Sequence, residues 1–265
     1  MLGYLLRRLS LVLPTLAFVA VAVFIIIRAI PGDPAQVMLG DTVDPSLLRS
    51  VRHDMGLDQP VPIQFLLWIK SAAIGDFGHS VVNGQAVLPL ILERFQVSAT
   101  IVLIAVALAT VIAVAAGLLA AWREGRPSDL AVMAGASIML AIPSFWLGLL
   151  LLLVFGLKLG WLPVVGYVSP WSDLHQGWPY LVLPVATLAI TEAGVLTRMM
   201  RASAVDVLRL DYITHARAKG LSEARVLWRH VLPNAFAPTL TVIGLILGHV
   251  LGGIEVSSPC QDLAA

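Results

Sequence analysis

Five long, apolar, nearly charge-free stretches limit what this chain can fold into more than any other feature of it. They lie at Leu9–Ile30, within Phe95–Trp122, within Leu130–Leu157, near Tyr180–Met200 and near Ala235–Ile254. A helix needs about 20 apolar residues to cross the hydrocarbon of a bilayer. Backbone amides find no water there, so helices, which pair their own N–H and C=O groups, are the natural solution for such runs. The fold class expected is therefore all-α, a polytopic transmembrane helical bundle. Composition agrees: 58% of the residues are hydrophobic and 12% charged, against about half and a quarter in soluble domains. Net charge is +1, which gives no global attraction to nucleic acid. One cysteine, Cys260, forms no internal disulfide and no metal cluster.

Arg7 and Arg8 precede the first run, as in a secretory signal. The run is longer than a signal core and four more spans follow, so it reads as an uncleaved span with a positive inner flank. With the N-terminus inside, the inner segments hold Arg7, Arg8, Arg123, Arg126, Arg198, Arg201, Arg209, Arg217, Lys219, Arg225 and Arg229. The outer side holds Arg28, Arg49, Arg52, Lys70, Arg94 and Lys158, so eleven cations stand against six. The positive-inside rule then places the N-terminus in the cytoplasm. Prolines 143, 184 and 238 lie in or beside spans, where they can kink helices. Trp122, Trp161, Trp171 and Trp178 read as interfacial anchors. Gly117, Gly148 and Gly244 read as helix-packing positions.

The outer segment 31–94 is acidic, with Asp33, Asp41, Asp44, Asp54, Asp58, Asp76 and Glu93. Asp44-Pro45 suits an N-cap followed by proline at the first helical position, and Gly56 suits the stop. Pro62 opens a second helix, Ile63–Ala73. Together they read as a small helical cap.

The inner segment 201–234 carries most of the functional information. Tyr212–Lys219 suits a helix and Gly220 its left-handed cap. Ser222 can cap the next helix, with Glu223 in its first turn. Pro233 ends or kinks that helix before the membrane. Small residues Ala216 and Ala218 leave the elbow open to close approach, and Arg217, Lys219 and Arg225 make it basic. Basic inner loops also follow from topology alone, so charge by itself does not separate a docking surface from an anchor.

Motifs for chemistry are missing. There is no GxxxxGK[ST] loop, no GxGxxG turn after a strand, no HExxH helix and no GxSxG elbow. No cofactor or metal is implied, and any ATP must be hydrolysed on another chain. Two ionisable residues fall in spans, where they are costly unless they face protein or water. Glu192 reads either as a pathway-lining carboxylate or as a partner of Arg198 near the inner helix end. His249 lines the pathway or packs with a hydrogen bond.

The segment DYITHARAKGLSEARVLWRHVLPNA (Asp211–Ala235) resembles the cytoplasmic EAA loop of ABC transporter permeases, in the dipeptide/oligopeptide/nickel branch. That pattern is Glu-Ala-Ala, three residues, Gly, nine residues, Ile, one residue, Leu-Pro. Gly220 and Leu232-Pro233 stand at the matching positions, while Thr214, His215 and His230 replace the Glu, first Ala and Ile. The branch's own ARAKGL is Ala216–Leu221. RAIPGDPA (Arg28–Ala35), GLDQPVPIQFLLWI, GDFGHS and IPSFWLGLLLLLVFGLKLGWLP (Ile142–Pro163) resemble other parts of the branch in the same order.

The resemblance implies a permease subunit of an ATP-driven importer in the bacterial inner membrane, for peptides or a related small solute such as nickel. It implies residues 1–30 as the cytoplasmic N-terminus and first span, 31–94 as the extracytoplasmic segment, and 95–253 as the permease core. The ATPase-coupling loop would comprise Ala216, Arg217, Ala218, Lys219, Gly220, Leu221, Ser222, Arg225, Leu232 and Pro233. Its partners would be a second permease subunit, two cytoplasmic ATPases, an extracytoplasmic solute-binding protein and membrane lipid. The branch runs past a Gly-Gly like Gly252-Gly253 into a sixth span. Here a polar tail, IEVSSPCQDLAA (254–265), follows, so the expectation is a chain cut short before that span. An inactive truncated permease and an ATPase-independent secondary transporter are the alternative readings. The secondary carrier would need charge relays or inverted repeats, and the sequence shows one span carboxylate and no clear repeat.

Overall fold

The computed structural model describes residues 2–29, 32, 35–36, 45–54, 56–80, 84–166, 168 and 173–252, divided between two compact units, residues 1–94 and 95–265. The Asp44 cap, Trp171, Gly253 and the tail 254–265 lie outside the described residues. Among the described residues the ordered elements are all helical, as the sequence leads one to expect.

In the first unit, α1 (Leu2–Ala29) contains the 20-residue apolar span Ser10–Ala29. α2 (Pro45–Asp54) starts on its proline and stops at Gly56, whose φ is +64°. The Gly56 N–H donates to the His53 carbonyl at 2.9 Å and the Leu57 N–H to the Arg52 carbonyl at 2.9 Å. This paired closure satisfies carbonyls that a helix end leaves open. α3 (Val61–Ala73) begins slightly earlier than Pro62, which occupies its first turn.

The second unit is built on two long helices. α4 (Val87–Trp122) reaches 36 residues, starting eight before the expected run, and only its later part belongs to this unit. α7 (Leu174–Leu208) reaches 35. The Asp173 carboxylate accepts the His175 and Gln176 N–H groups at 2.9 and 3.1 Å and so opens α7. α7 outruns the expected 180–200 span at both ends, and Arg201 and Arg209 therefore sit at the end of a helix rather than in a loop.

The third span departs most from a straight helix. α5 (Pro127–Ala141) and α6 (Ser144–Leu151, running on through a wide π-helical turn, Leu152–Lys158) meet at 94°. The residue before a proline is driven out of the helical region by the ring. Ile142 is accordingly extended at φ −84°, ψ 121°, and Pro143 at φ −61°, ψ 133°. Pro184 and Pro238, by contrast, lie inside helices that continue through them. Among the described residues, four helices are long and apolar enough to cross a membrane, or five with the broken pair as one.

α8 (Asp211–Ala218), α9 (Glu223–Val226) and α10 (Leu232–Gly252) complete the unit. α7 is its axis. An alanine-rich stripe of α4, including Ala105, Ala109 and Ala113, packs with Leu188 and Ala193 of α7 and with Ile243 and Ile246 of α10 in one buried cluster. Small side chains let the helices approach closely enough for van der Waals contact to hold them, which is the main attraction available in lipid. Gly117 and Gly194 take this further. A Cβ at Gly117 would lie 2.8 Å from the Met200 Cβ, and one at Gly194 would lie 2.9 Å from the Ala136 carbonyl oxygen. Gly148 is looser, at 3.5 Å from Thr187, and Gly244 faces open space. The packing role expected of Gly117 thus holds within this chain, and that of Gly244 does not.

Candidate functional site

The elbow is two helices joined at a glycine. α8 ends at Ala218 with Lys219 as its C-cap, and Gly220 follows with φ +78°. That left-handed conformation costs residues with a Cβ strain that glycine avoids. The Gly220 N–H donates to the Arg217 carbonyl at 2.9 Å and the Leu221 N–H to the Ala216 carbonyl at 3.4 Å. Leu221 and Ala216 share the same apolar cluster, which completes the helix-ending motif.

Ser222 sits at the N-cap of α9 with extended backbone, but its side chain makes no capping bond; its carbonyl accepts the Val226 N–H at 2.9 Å instead. Glu223 turns back to α8, where Arg217 Nε and Nη2 donate to its two oxygens at 2.9 and 3.1 Å. The basic character expected at Arg217 is therefore partly neutralised, while Lys219 and Arg225 are exposed. Ala216 and Ala218 do not share a surface. Two residues subtend about 200° on an α-helix, so Ala218 is exposed while Ala216 faces inward and is buried.

Pro233 does not end its helix. A wide turn, Leu227–Val231, closes with the Leu232 N–H donating to the Leu227 carbonyl, five residues back. The looser turn opens the helix just before the residue that has no N–H to give. Chain direction is kept, so Glu223–Gly252 forms one 30-residue membrane-crossing candidate. Leu232 is half-buried and Pro233 exposed.

Beneath the exposed face the elbow is fixed to the bundle. Ile213, Ala216, Val226, Val231 and Ala235 pack with Leu118 and Ala121 of α4 and Met200 and Ala204 of α7. Fully burying a side chain the size of valine or isoleucine contributes about 1.5–3 kcal/mol, so α8 and α9 are held as part of the core. Polar contacts tie the neighbouring helices to one another. Arg201 Nε and Nη2 donate to the Asp129 carboxylate at 2.6 and 2.6 Å, and the Gly125 N–H donates to it at 3.0 Å. Arg209 donates to Glu124 at 2.9 Å.

Glu192 on α7 is half-buried and His249 on α10 is exposed. Sequence reasoning missed Asp129 as Arg201's partner, because the two are 72 positions apart. It also missed Trp228, which is 62% exposed in the turn of the elbow. A large aromatic between Arg225 and Arg229 was the available signal.

Residues 113–257 match the model of the binding-protein-dependent transport system inner membrane component, and residues 1–104 match the corresponding N-terminal family. The chain is similar to the glutathione transport system permease protein of Escherichia coli (strain K12), with 41% identity over 96% of this chain and 80% of that protein. It is also similar to a probable peptide ABC transporter permease protein of Sinorhizobium fredii, with 36% identity over 96% of this chain and 81% of that protein. With both matched segments, the helical bundle and the glycine elbow in agreement, this chain belongs to the family of binding-protein-dependent transport system inner membrane components, as a transport subunit and not an enzyme.

Proposed function

We propose that this chain is the permease subunit of an ATP-driven importer for peptides or a peptide-like solute such as glutathione, working as one half of the pathway beside a second permease subunit. Its N-terminus and elbow face the cytoplasm, where two ATPase subunits bind, and residues 31–94 face the solute-binding protein. The relatives' names support the solute class. Nickel, carried by the wider branch, has less support, since the relatives' names give glutathione and peptide.

The observation that carries the reading is the mechanical continuity of the elbow. Its exposed surface, with Lys219, Gly220, Ser222, Arg225 and Trp228, is backed by buried side chains that belong to the same cluster as α4 and α7. When ATP closes the ATPase pair, a displacement of α8 and α9 moves the inner ends of both long helices with it. Rocking of such packed bodies exposes the pathway to alternate sides. No covalent step on this chain is needed.

The test is reconstitution in proteoliposomes with the ATPases, the second permease and the binding protein. Peptide-loaded binding protein should stimulate ATP hydrolysis and uptake. Uptake by this chain alone, driven by an ion gradient, would instead identify a secondary carrier.

A further inference from the structure

α3 does not have the surface of a helix that stands in water. Lys70 is its one charged residue, and Val61, Ile63, Leu66, Leu67, Trp68, Ile69 and the following Ile74 are exposed large apolar side chains. Leu66 is 66% exposed and Ile74 77%. A helix apolar all round is ordinarily enclosed by protein or by lipid.

Its contacts within the first unit fix its depth. The Phe24 and Phe65 rings meet edge to face, with centroids 5.2 Å apart, and Trp68 lies 6.0 Å from Phe24 and 6.1 Å from Phe65. Arg28 stacks over Phe24 at 5.7 Å and donates to the Gln64 side-chain oxygen. Gln64 is buried, and its own amide donates to the Leu57 and Gln59 carbonyls at 3.1 and 2.6 Å. The span Ser10–Ala29 has 20 residues, about 30 Å at 1.5 Å per residue, which matches the hydrocarbon thickness. Phe24 stands five residues before the span's end, roughly 7 Å inside that boundary. Phe65 and Trp68, in ring contact with it, share its depth.

We propose that α3 is embedded in the bilayer leaflet at the Arg28 end of the first span, with its outer flank against lipid acyl chains. At the same end of α1, Ile25, Ile26 and Ile27 are likewise exposed. Lys70 runs its stem along the hydrocarbon and sets its ammonium among the headgroup phosphates. This assigns lipid, rather than a docked protein, to the Ile63–Leu66 face, and the cap expected from the sequence becomes in part a membrane anchor. The assignment holds for either orientation of the chain.

The experiment uses the full chain in lipid nanodiscs, with Cys260→Ser and a nitroxide on Leu66→Cys, or independently on Ile63→Cys. Power saturation compares collisions with oxygen, which concentrates in hydrocarbon, and with a water-soluble nickel chelate. Phe18→Cys serves as the mid-span reference and Lys219→Cys as the aqueous one. An oxygen-to-nickel ratio nearer the Phe18 reference is the expected result. A ratio nearer the Lys219 reference would place α3 in water and overturn the proposal. Low access to both reagents would show the face covered by protein and overturn it equally.

Discussion

Asp129 and Arg201 face each other side-on, two parallel hydrogen bonds of 2.6 Å joining the start of α5 to the C-terminal part of α7. Asp129 is 5% exposed. Arg201 is 24% exposed, so water screens the pair in part, and removing the arginine leaves the Asp129 carboxylate short of its donors at a cost of about 1–3 kcal/mol. Arg201→Ala should therefore lower the thermal stability of the purified chain strongly. Arg201→Lys should recover only part of it, because a single ammonium cannot reproduce the two-pronged contact. Unfolding in detergent, followed by intrinsic fluorescence, checks both.

Gly117 and Gly194 should not tolerate alanine. The added methyl would meet Met200 at 2.8 Å or the Ala136 backbone at 2.9 Å. Overpacking of this kind costs about 1–3 kcal/mol. Gly244→Ala, with no atom within 4 Å, should leave the stability of the isolated chain unchanged. Three melting curves separate these cases.

Gly220→Val tests the elbow. No atom lies within 4 Å of the position a Cβ would take, so the cost to folding is limited to the left-handed backbone, about 1–2 kcal/mol. The chain should insert and purify, yet lose ATPase pull-down and solute-stimulated hydrolysis. Arg217→Ala breaks an ion pair whose side chains are about 40% exposed. It should change stability by under about 1 kcal/mol. Normal coupling in Gly220→Val would mark the elbow as an ordinary loop.

Glu192→Gln and His249→Gln, at the ionisable residues of α7 and α10, should each slow uptake if both line the pathway, and a coupling of at least about 0.5 kcal/mol in the double variant would show that the two side chains interact. Additive effects would mean that the two act separately.

What the sequence discloses here follows the range of the interactions involved. Gly220 was legible because a helix stop depends on a few adjacent residues, and so was Gly56. Pro143 and Pro233 show the limit of the same local rules. Both prolines disturb a helix, but one is followed by a 94° bend and the other by an uninterrupted span, since a wide turn precedes Pro233 and no periodicity announces it. Ala216 and Ala218 were read as one surface from composition, where the 100° step per residue separates them. Asp129 with Arg201, and Gly117 with Met200, depend on how helices cross, and that is settled by packing across the bundle rather than by neighbours in the chain.

The wide turn at Leu227–Val231 also sets the azimuth of everything after it. One residue more or less in a helix rotates the remainder by about 100°. Deleting a single residue there would swing Ile243 and Ile246 out of the core, with every apolar side chain of the last span still present. The facing of that whole helix is thus dialled by one supernumerary residue in the elbow, so elbow and membrane segment cannot drift independently in length.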